Sequence, residues 1–349
     1  MQNSTLRMQT NHQTGFKKAS FLRKNLTIVA PLLVFAVFFL IGGVMFKRFF
    51  TLRVLFNLFT DNAFVGLVAV GMTVVIISGG IDLSVGSIVS TTAMMIAVMD
   101  RAGISPLLVI PLALSFGTIL GFLQGVMIQH FDVEPFIVTL TGMFLARGLG
   151  FVLSLSSIPI DGTFYRRLSR TSLRFGKGGT GILASFPTAR LTTPAILFLL
   201  MVLLTWFLLR YTRFGRRVYA LGGSERSAFL MGVPVAKTKI LIYTFSGFCA
   251  GLGGFAYSLY MLAGYGRAAI GLELEAIASV VIGGTLLTGG SGSVFGTLIG
   301  VCIRGMIQTF ISFQGRLNVY WTPIFIGSML FLFIVMQKLF LAAGAGRKR

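Results

Sequence analysis

Residues 58–87 read LFTDNAFVGLVAVGMTVVIISGGIDLSVGS. An apolar run, 58–78, ends on Ser78-Gly79-Gly80; one acid, Asp82, follows, and a second apolar run begins at Leu83. A run of about 20 residues matches the ~30 Å hydrocarbon core of a bilayer. Each such segment has to be helical, because lipid offers no partner for a free N–H or C=O. The pattern recurs at 26–46, 58–78, 83–99, 106–128, 135–155, 193–209, 240–262, 274–288, 294–311 and 321–341. The expected fold is therefore all-α, a polytopic integral membrane helix bundle of about ten transmembrane spans. The eighth run is short and broken by glycine, which suits a re-entrant segment as well as a crossing one.

Composition supports this reading. Of 349 residues 55% are hydrophobic and only 11% are charged, against roughly 25% charged in a soluble domain. Thirty Lys and Arg against nine Asp and Glu leave a net charge of +21. The basic residues fall in short clusters between apolar runs, where they orient membrane helices; a nucleic-acid partner would need a basic folded face and is not expected. The domains expected are a cytoplasmic tail over 1–25, a transmembrane domain over 26–341 and a basic tail over 342–349. With ten spans and both termini cytoplasmic, sixteen Lys and Arg lie inside and twelve outside, six of the latter between Arg166 and Arg190.

Enzyme chemistry finds no support. No zinc-binding or serine-nucleophile motif occurs, and the string Gly176-Lys177-Gly178-Gly179 lacks the Ser or Thr of a phosphate-binding loop. His12 and His130 have no neighbours for metal or base work, so neither a metal nor another cofactor is expected. Cys249 and Cys302 lie in apolar runs without ligand spacing and read as inert core residues.

One internal similarity stands out. Ser78-Gly79-Gly80 with five further residues and Gly86-Ser87 matches Thr288-Gly289-Gly290 with five residues and Gly296-Thr297, offset by 210 without a gap. Glycine-interrupted segments at matching places in two halves point to a translocation pathway; tight interhelical turns or small residues for close packing give the same pattern. Asp82 is expected to cap the helix that follows, or to line a polar path. Glu273 and Glu275 suit the first turn of the eighth span. Gln124, Arg304 and Gln308 are candidate pathway residues; Arg304 and Gln308, four apart, share a helix face that should point away from lipid. Pairs that merely stabilise a bundle look the same in sequence.

The loop 210–239 is the clearest module outside lipid. Ser224 to Met231 suits a short helix with Ser224 as N-cap and Gly232 as terminator, carrying charge together with Phe229, Leu230 and Met231. Such a helix could dock a soluble partner or serve as an amphipathic connector.

Three stretches in order then show a resemblance. Gly71-Met72-Thr73 through Ser87, Thr212-Arg213-Phe214-Gly215 with Tyr219-Ala220-Leu221-Gly222-Gly223, and Glu275 through Thr285 resemble the permease subunits of bacterial ABC monosaccharide importers, the ribose, xylose and galactose group, over about residues 30–340. Asp61-Asn62-Ala63-Phe64, Ser157 to Ile160 and Gln308-Thr309 look most like a galactofuranose importer permease. The resemblance implies an inner-membrane complex with ATP-binding subunits, a second homologous permease and a periplasmic sugar-binding protein. The family's coupling loop carries over onto Gly223, Glu225, Ala228 and Gly232. Arg226 and Ser227 stand where the general importer pattern has two alanines, and the spacing from Glu225 to Gly232 is one residue longer. ATP hydrolysis would belong to the partners. Ribose, xylose or an autoinducer-type furanone is the alternative cargo, and a stand-alone secondary transporter or facilitator the alternative mechanism.

Overall fold

The computed structural model describes residues 29–46, 49, 51–175, 189–315, 318 and 320–345. The tail 1–25, the string 176–179 and residues 346–349 lie outside the described residues. Fourteen helices are seen among those described: α1 (Val29–Met45), α2 (Leu52–Asp61), α3 (Ala63–Ile77), α4 (Val85–Arg101), α5 (Pro106–His130), α6 (Pro135–Leu153), α7 (Thr163–Arg170), α8 (Thr193–Tyr211), α9 (Arg213–Gly223), α10 (Glu225–Leu230), α11 (Val235–Met261), α12 (Leu272–Ile282), α13 (Val294–Gln314) and α14 (Trp321–Ala345). Four short strands form two antiparallel pairs, Ile158–Pro159 with Ala263–Gly264 and Ser172–Phe175 with Ala189–Thr192.

Each apolar run lands on one helix, with α2 and α3 sharing the second, but the span count is lower than expected. Six helices (α5, α6, α8, α11, α13, α14) are long and apolar enough to cross a bilayer, and the bent pair α2–α3 makes a seventh. The remaining three are short: α1 and α4 have 17 residues and α12 has 11, so α12 reaches only roughly 16 Å. The run 274–288 ends its helix at Ile282, where Gly283 and Gly284 follow. The run 58–78 is not one helix either. It breaks by 62° at Asn62, whose side-chain amide donates to the Leu58 carbonyl at 2.8 Å. A side chain inserted into the helical ladder is an ordinary cause of a sharp kink. Helix α14 continues to Ala345, past the boundary expected at 341.

Burial separates a core from a lipid-facing shell. Of the apolar windows in α5, α6 and α14 only 28, 28 and 17% of residues are buried, against 61% in α11 and 67% in α13. A soluble protein does not leave apolar faces of that extent open. Helix α3 is buried along its whole length except Phe64, as a helix apolar on every side has to be. Helix α5 packs against α11 through Gly117, Gly121 and Gly125: a methyl group there would run into Gly247 O, Tyr243 O and the Ile240 backbone. Small residues at four-residue spacing let two backbones approach where lipid supplies no hydrophobic drive.

The two ends of the bundle differ. The Gly290 N–H donates to Ile77 O at 2.8 Å, so the end of α3 meets the loop before α13. The Gln337 amide lies 3.4 Å from the Val281 and Thr285 carbonyls, which brings the second half of α14 to that end. The Phe46 ring, at the other end of α1, stacks near Phe310 and Phe313 of α13. Helices α1 and α14 thus point their terminal-tail ends to the side of the bundle that carries α9 and α10; the starts of α2, α5, α8 and α14 and the ends of α4, α6, α11 and α13 form the opposite end.

Candidate functional site

At the α10 end, sequence and geometry agree on the local fold. The Ser224 hydroxyl accepts from Ser227 N–H at 3.2 Å, Ala228 is buried, and Gly232 has φ +76°, the left-handed backbone that closes a helix. The helix is Glu225–Leu230, one residue shorter at each end than the segment 224–231. Phe229, Leu230 and Met231 are 69, 77 and 71% exposed, an apolar trio on an otherwise charged module. Glu225 pairs with Lys239 at the foot of α11, a partner the spacing does not announce.

The two glycine motifs meet here. Gly79 and Gly289, equivalent in the 210-residue offset, both take left-handed backbone, φ +87° and +82°, conformations glycine adopts without cost. A methyl group on Gly289 would lie 3.0 Å from the Gly79 backbone, and one on Gly290 3.2 Å from Gly223. Helix α9 rests against both motifs: a methyl on Gly222 would strike Ile77 O and Gly290 N, and the Tyr219 hydroxyl donates to Gly292 O at 2.9 Å. A 270 Å³ cavity lined by Ser78, Gly79, Gly80, Glu225, Lys239 and Tyr243 joins the first motif to α10. The Ser78 hydroxyl donates to Val75 O at 2.7 Å, and Thr288 is exposed.

Past the first motif residues 80–83 form no regular secondary structure, and α4 begins after Ser84. Asp82 is fully buried. One carboxylate oxygen accepts from Ser84 N–H at 3.0 Å and from its hydroxyl at 2.6 Å; the other accepts from Ser246 at 2.7 Å. Ser246 lies eleven residues into α11, roughly 16 Å along its axis, so Asp82 sits deep in the bundle. An unpaired carboxylate there would cost several kcal/mol, and these donors remove that cost. Asp82 does not cap α4 as expected: the N-cap is Ser84, no side chain accepts from the first turn of the helix, and Asp82 instead holds the turn just before it through Ser84 N–H. Gln124 joins this cluster, its Oε1 3.3 Å from the Ser84 hydroxyl, while its Nε2 is buried without a partner among the described residues.

Arg304 and Gln308 do turn inward, at a different place. Arg304 is 6% exposed; its guanidinium pairs with Glu275, donates to Asn62 Oδ1 and lies 3.4 Å from Gln308 Oε1. Glu275 therefore serves an ion pair between α12 and α13 rather than the dipole of its own helix alone. Asn62, which sequence reasoning passed over, is where the kink, α13 and Arg304 meet; a methyl on Gly305 would hit its amide nitrogen. Above this lock opens a cavity of about 840 Å³ at the end opposite α10, walled by α2, α13 and Tyr260. Glu273 lies in the first turn of α12, where it is expected, and its Oε2 is buried without a hydrogen-bond partner among the described residues.

A buried bundle inside an apolar shell, with broken helices meeting at one end and a polar chamber at the other, is the build of a multi-pass membrane permease. The family model described as the permease component of the branched-chain amino acid transport system matches residues 54–334, and the chain belongs to this family of transport subunits. It is similar to the inner membrane ABC transporter permease protein YjfF of Escherichia coli K12, 46% identical over 318 residues, 91% of this chain and 93% of that one. The fructose import permease FruG of Bifidobacterium longum is 36% identical over 327 residues, covering 93 and 94%. The ribose import permease RbsC of Haemophilus influenzae is 34% identical over 305 residues, covering 87 and 90%. No solved structure matches.

Proposed function

We propose that the chain is the permease subunit of an ATP-driven importer that carries a monosaccharide across the bacterial inner membrane, with both termini cytoplasmic. The sugar-import names of its relatives support the cargo class. The observation that carries the coupling is α10: a capped surface helix, apolar at Phe229 to Met231, next to α9, which touches both glycine motifs. Gly223, Glu225, Ala228 and Gly232 are then the coupling residues, and the partners are ATP-binding subunits, a second homologous permease and a periplasmic sugar-binding protein. Closure of the ATPases pushes α10; α9 passes the push to Ser78–Gly80 and Thr288–Gly290, and Asp82 braces the irregular segment between Gly80 and α4. Ten crossings result if α1, α4 and α12 also traverse the bilayer, and they place α10 and both tails on one side. Galactofuranose is the cargo that Asp61 to Phe64 and Gln308-Thr309 favour within the group.

The test is uptake by the complete importer in proteoliposomes. Glu225→Lys and Gly232→Trp should abolish ATP-driven uptake while the protein still inserts, and restoring a pair with Glu225→Lys/Lys239→Glu should return part of it. Unchanged uptake by both single variants overturns the coupling role. ATP-independent sugar flux through the chain alone would instead make it a stand-alone transporter.

A further inference from the structure

We propose that the 840 Å³ cavity at the end opposite α10 is a solute site for a neutral polyhydroxyl molecule, with Asp61 and Gln308 as its hydrogen-bonding walls and Tyr260 as its flank. The proposal rests on the permease reading and names where that cargo is held. The volume falls within the roughly 300–1,000 Å³ typical of ligand pockets. Asp61 ends α2 and Gln308 lies on α13, and both side chains are exposed to the cavity although helices surround them.

The chemistry selects the ligand class. Two cations border the cavity: Arg304 below the floor is engaged by Glu275 and Asn62, and Arg53 on the wall is not without a partner, so neither is a free charge for a phosphate or carboxylate, which bind best to unpaired cations. Asp61 accepts only; the Tyr260 hydroxyl donates to its Oδ1 at 3.3 Å, and an acceptor-rich carboxylate has room for further donors. Gln308 supplies both kinds of group: Arg304 takes its oxygen at 3.4 Å, and its NH₂ has no partner among the described residues. Asn57, Thr309 and Ser312 add amide and hydroxyl groups to the same wall. Acceptors and donors in near balance beside an aromatic ring suit sugar hydroxyls, each of which gives one hydrogen bond and takes others. The site lies where a solute released at that end first meets the bundle, and Arg304 closes its floor by tying the α2–α3 kink to α12 and α13.

The experiment uses the complete importer in proteoliposomes with radiolabelled D-ribose, D-fructose and D-galactose in turn, and L-leucine as an amino-acid control. Losing a hydrogen bond to a charged group costs about tenfold or more and to a neutral group about two- to tenfold, so half-saturation for the transported sugar should rise by about tenfold in Asp61→Ala and by about two- to tenfold in Gln308→Ala. Stimulation of the ATPase by the binding protein should stay intact, and so should the lipid-facing variant Leu107→Ala. As a readout independent of turnover, Ser312→Cys should react with a water-soluble thiol reagent, and excess sugar should slow that reaction. Normal half-saturation in both alanine variants, or labelling of Ser312→Cys unaffected by sugar, overturns the site while leaving the permease reading intact. Protection by L-leucine but not by sugar overturns the ligand class. A wild-type importer that moves none of the sugars overturns the permease reading, and this one with it.

Discussion

Replacing Arg304 by Met should destabilise the protein, and replacing Glu275 with it should return most of the loss. The Arg304 side chain is 8% exposed and the Glu275 side chain 27%. Removing one member of a buried pair costs about 3–5 kcal/mol, because the other charge is left without compensation. The partial exposure of Glu275 brings Arg304→Met to the lower end, about 3 kcal/mol, or roughly 150-fold in the folding equilibrium. Glu275→Met should cost at least as much, since the stranded guanidinium is the more enclosed group and does not shed its proton. The double Met variant exchanges the pair for apolar volume and should lose about 1.5 kcal/mol or less, with the Asn62 oxygen still unpaired. The two single losses would then exceed the double loss by a coupling of about 4.5 kcal/mol or more. Unfolding of the protein from mild detergent by added dodecyl sulfate, followed by the fluorescence of Trp206 and Trp321, measures each corner of the cycle. Additive losses would refute the pairing as a lock between α12, α13 and the kink at Asn62.

Two further outcomes concern the opposite ends of the bundle. Arg166, Arg167 and Arg170 are exposed on α7, with Arg166 paired to Asp161; changing all three to Gln should weaken docking of the periplasmic binding protein by about tenfold at low salt and less at high salt, measured by titration against the detergent-solubilised permease, and unaltered docking would remove α7 from the interface. At Gly79 an added methyl meets no atom within 4 Å, so Gly79→Ala should cost only the left-handed backbone strain, about 1–2 kcal/mol. Gly79→Asn should lose less, since Asn tolerates that region; equal losses in thermal unfolding would point to packing instead.

Apolar length carried most of the fold, because hydrocarbon leaves the backbone one choice and a run of about 20 residues states it. What it could not carry was where a helix stops inside such a run. Asn62 breaks 58–78 by a side-chain hydrogen bond to Leu58, inside a run read as continuous; Ile282 ends α12 at Gly283 and Gly284, a break that glycine announced without giving its place. Charge gave the orientation of Arg304 and Gln308 correctly, since a guanidinium has to turn from lipid, but not its partners: Glu275 lies 29 residues away and Asn62 242. The capped helix at Ser224 was legible because caps are local. In the same loop α9 was missed, and so were α7 and the strand pair 172–175 with 189–192; α7 and α9 carry a clear amphipathic period, but at 8 and 11 residues they fall short of the bilayer-length apolar run that marks the other helices.

The three polar levels share one helix, and this gives the permease reading its mechanics. Helix α11 has 27 residues, roughly 40 Å of length. Lys239 near its start holds Glu225 of α10; Ser246 holds Asp82 deep in the bundle; Tyr260 in its last turn holds Asp61 at the outer cavity. The glycine stripe of α5 keeps its middle in close backbone contact. In the proposed coupling, a push on α10 would reach α11 through the Glu225–Lys239 pair, while α9 would carry it to the glycine motifs through the backbone contact at Gly222 and the Tyr219 hydroxyl on Gly292 O. The two proposed routes would converge on the irregular segment 80–84, from the Gly79 side and from Ser246. Asp82 is the residue on which both would act, which is a stronger reason for an acid at that depth than helix capping, because a cap would be served equally by Ser or Asn.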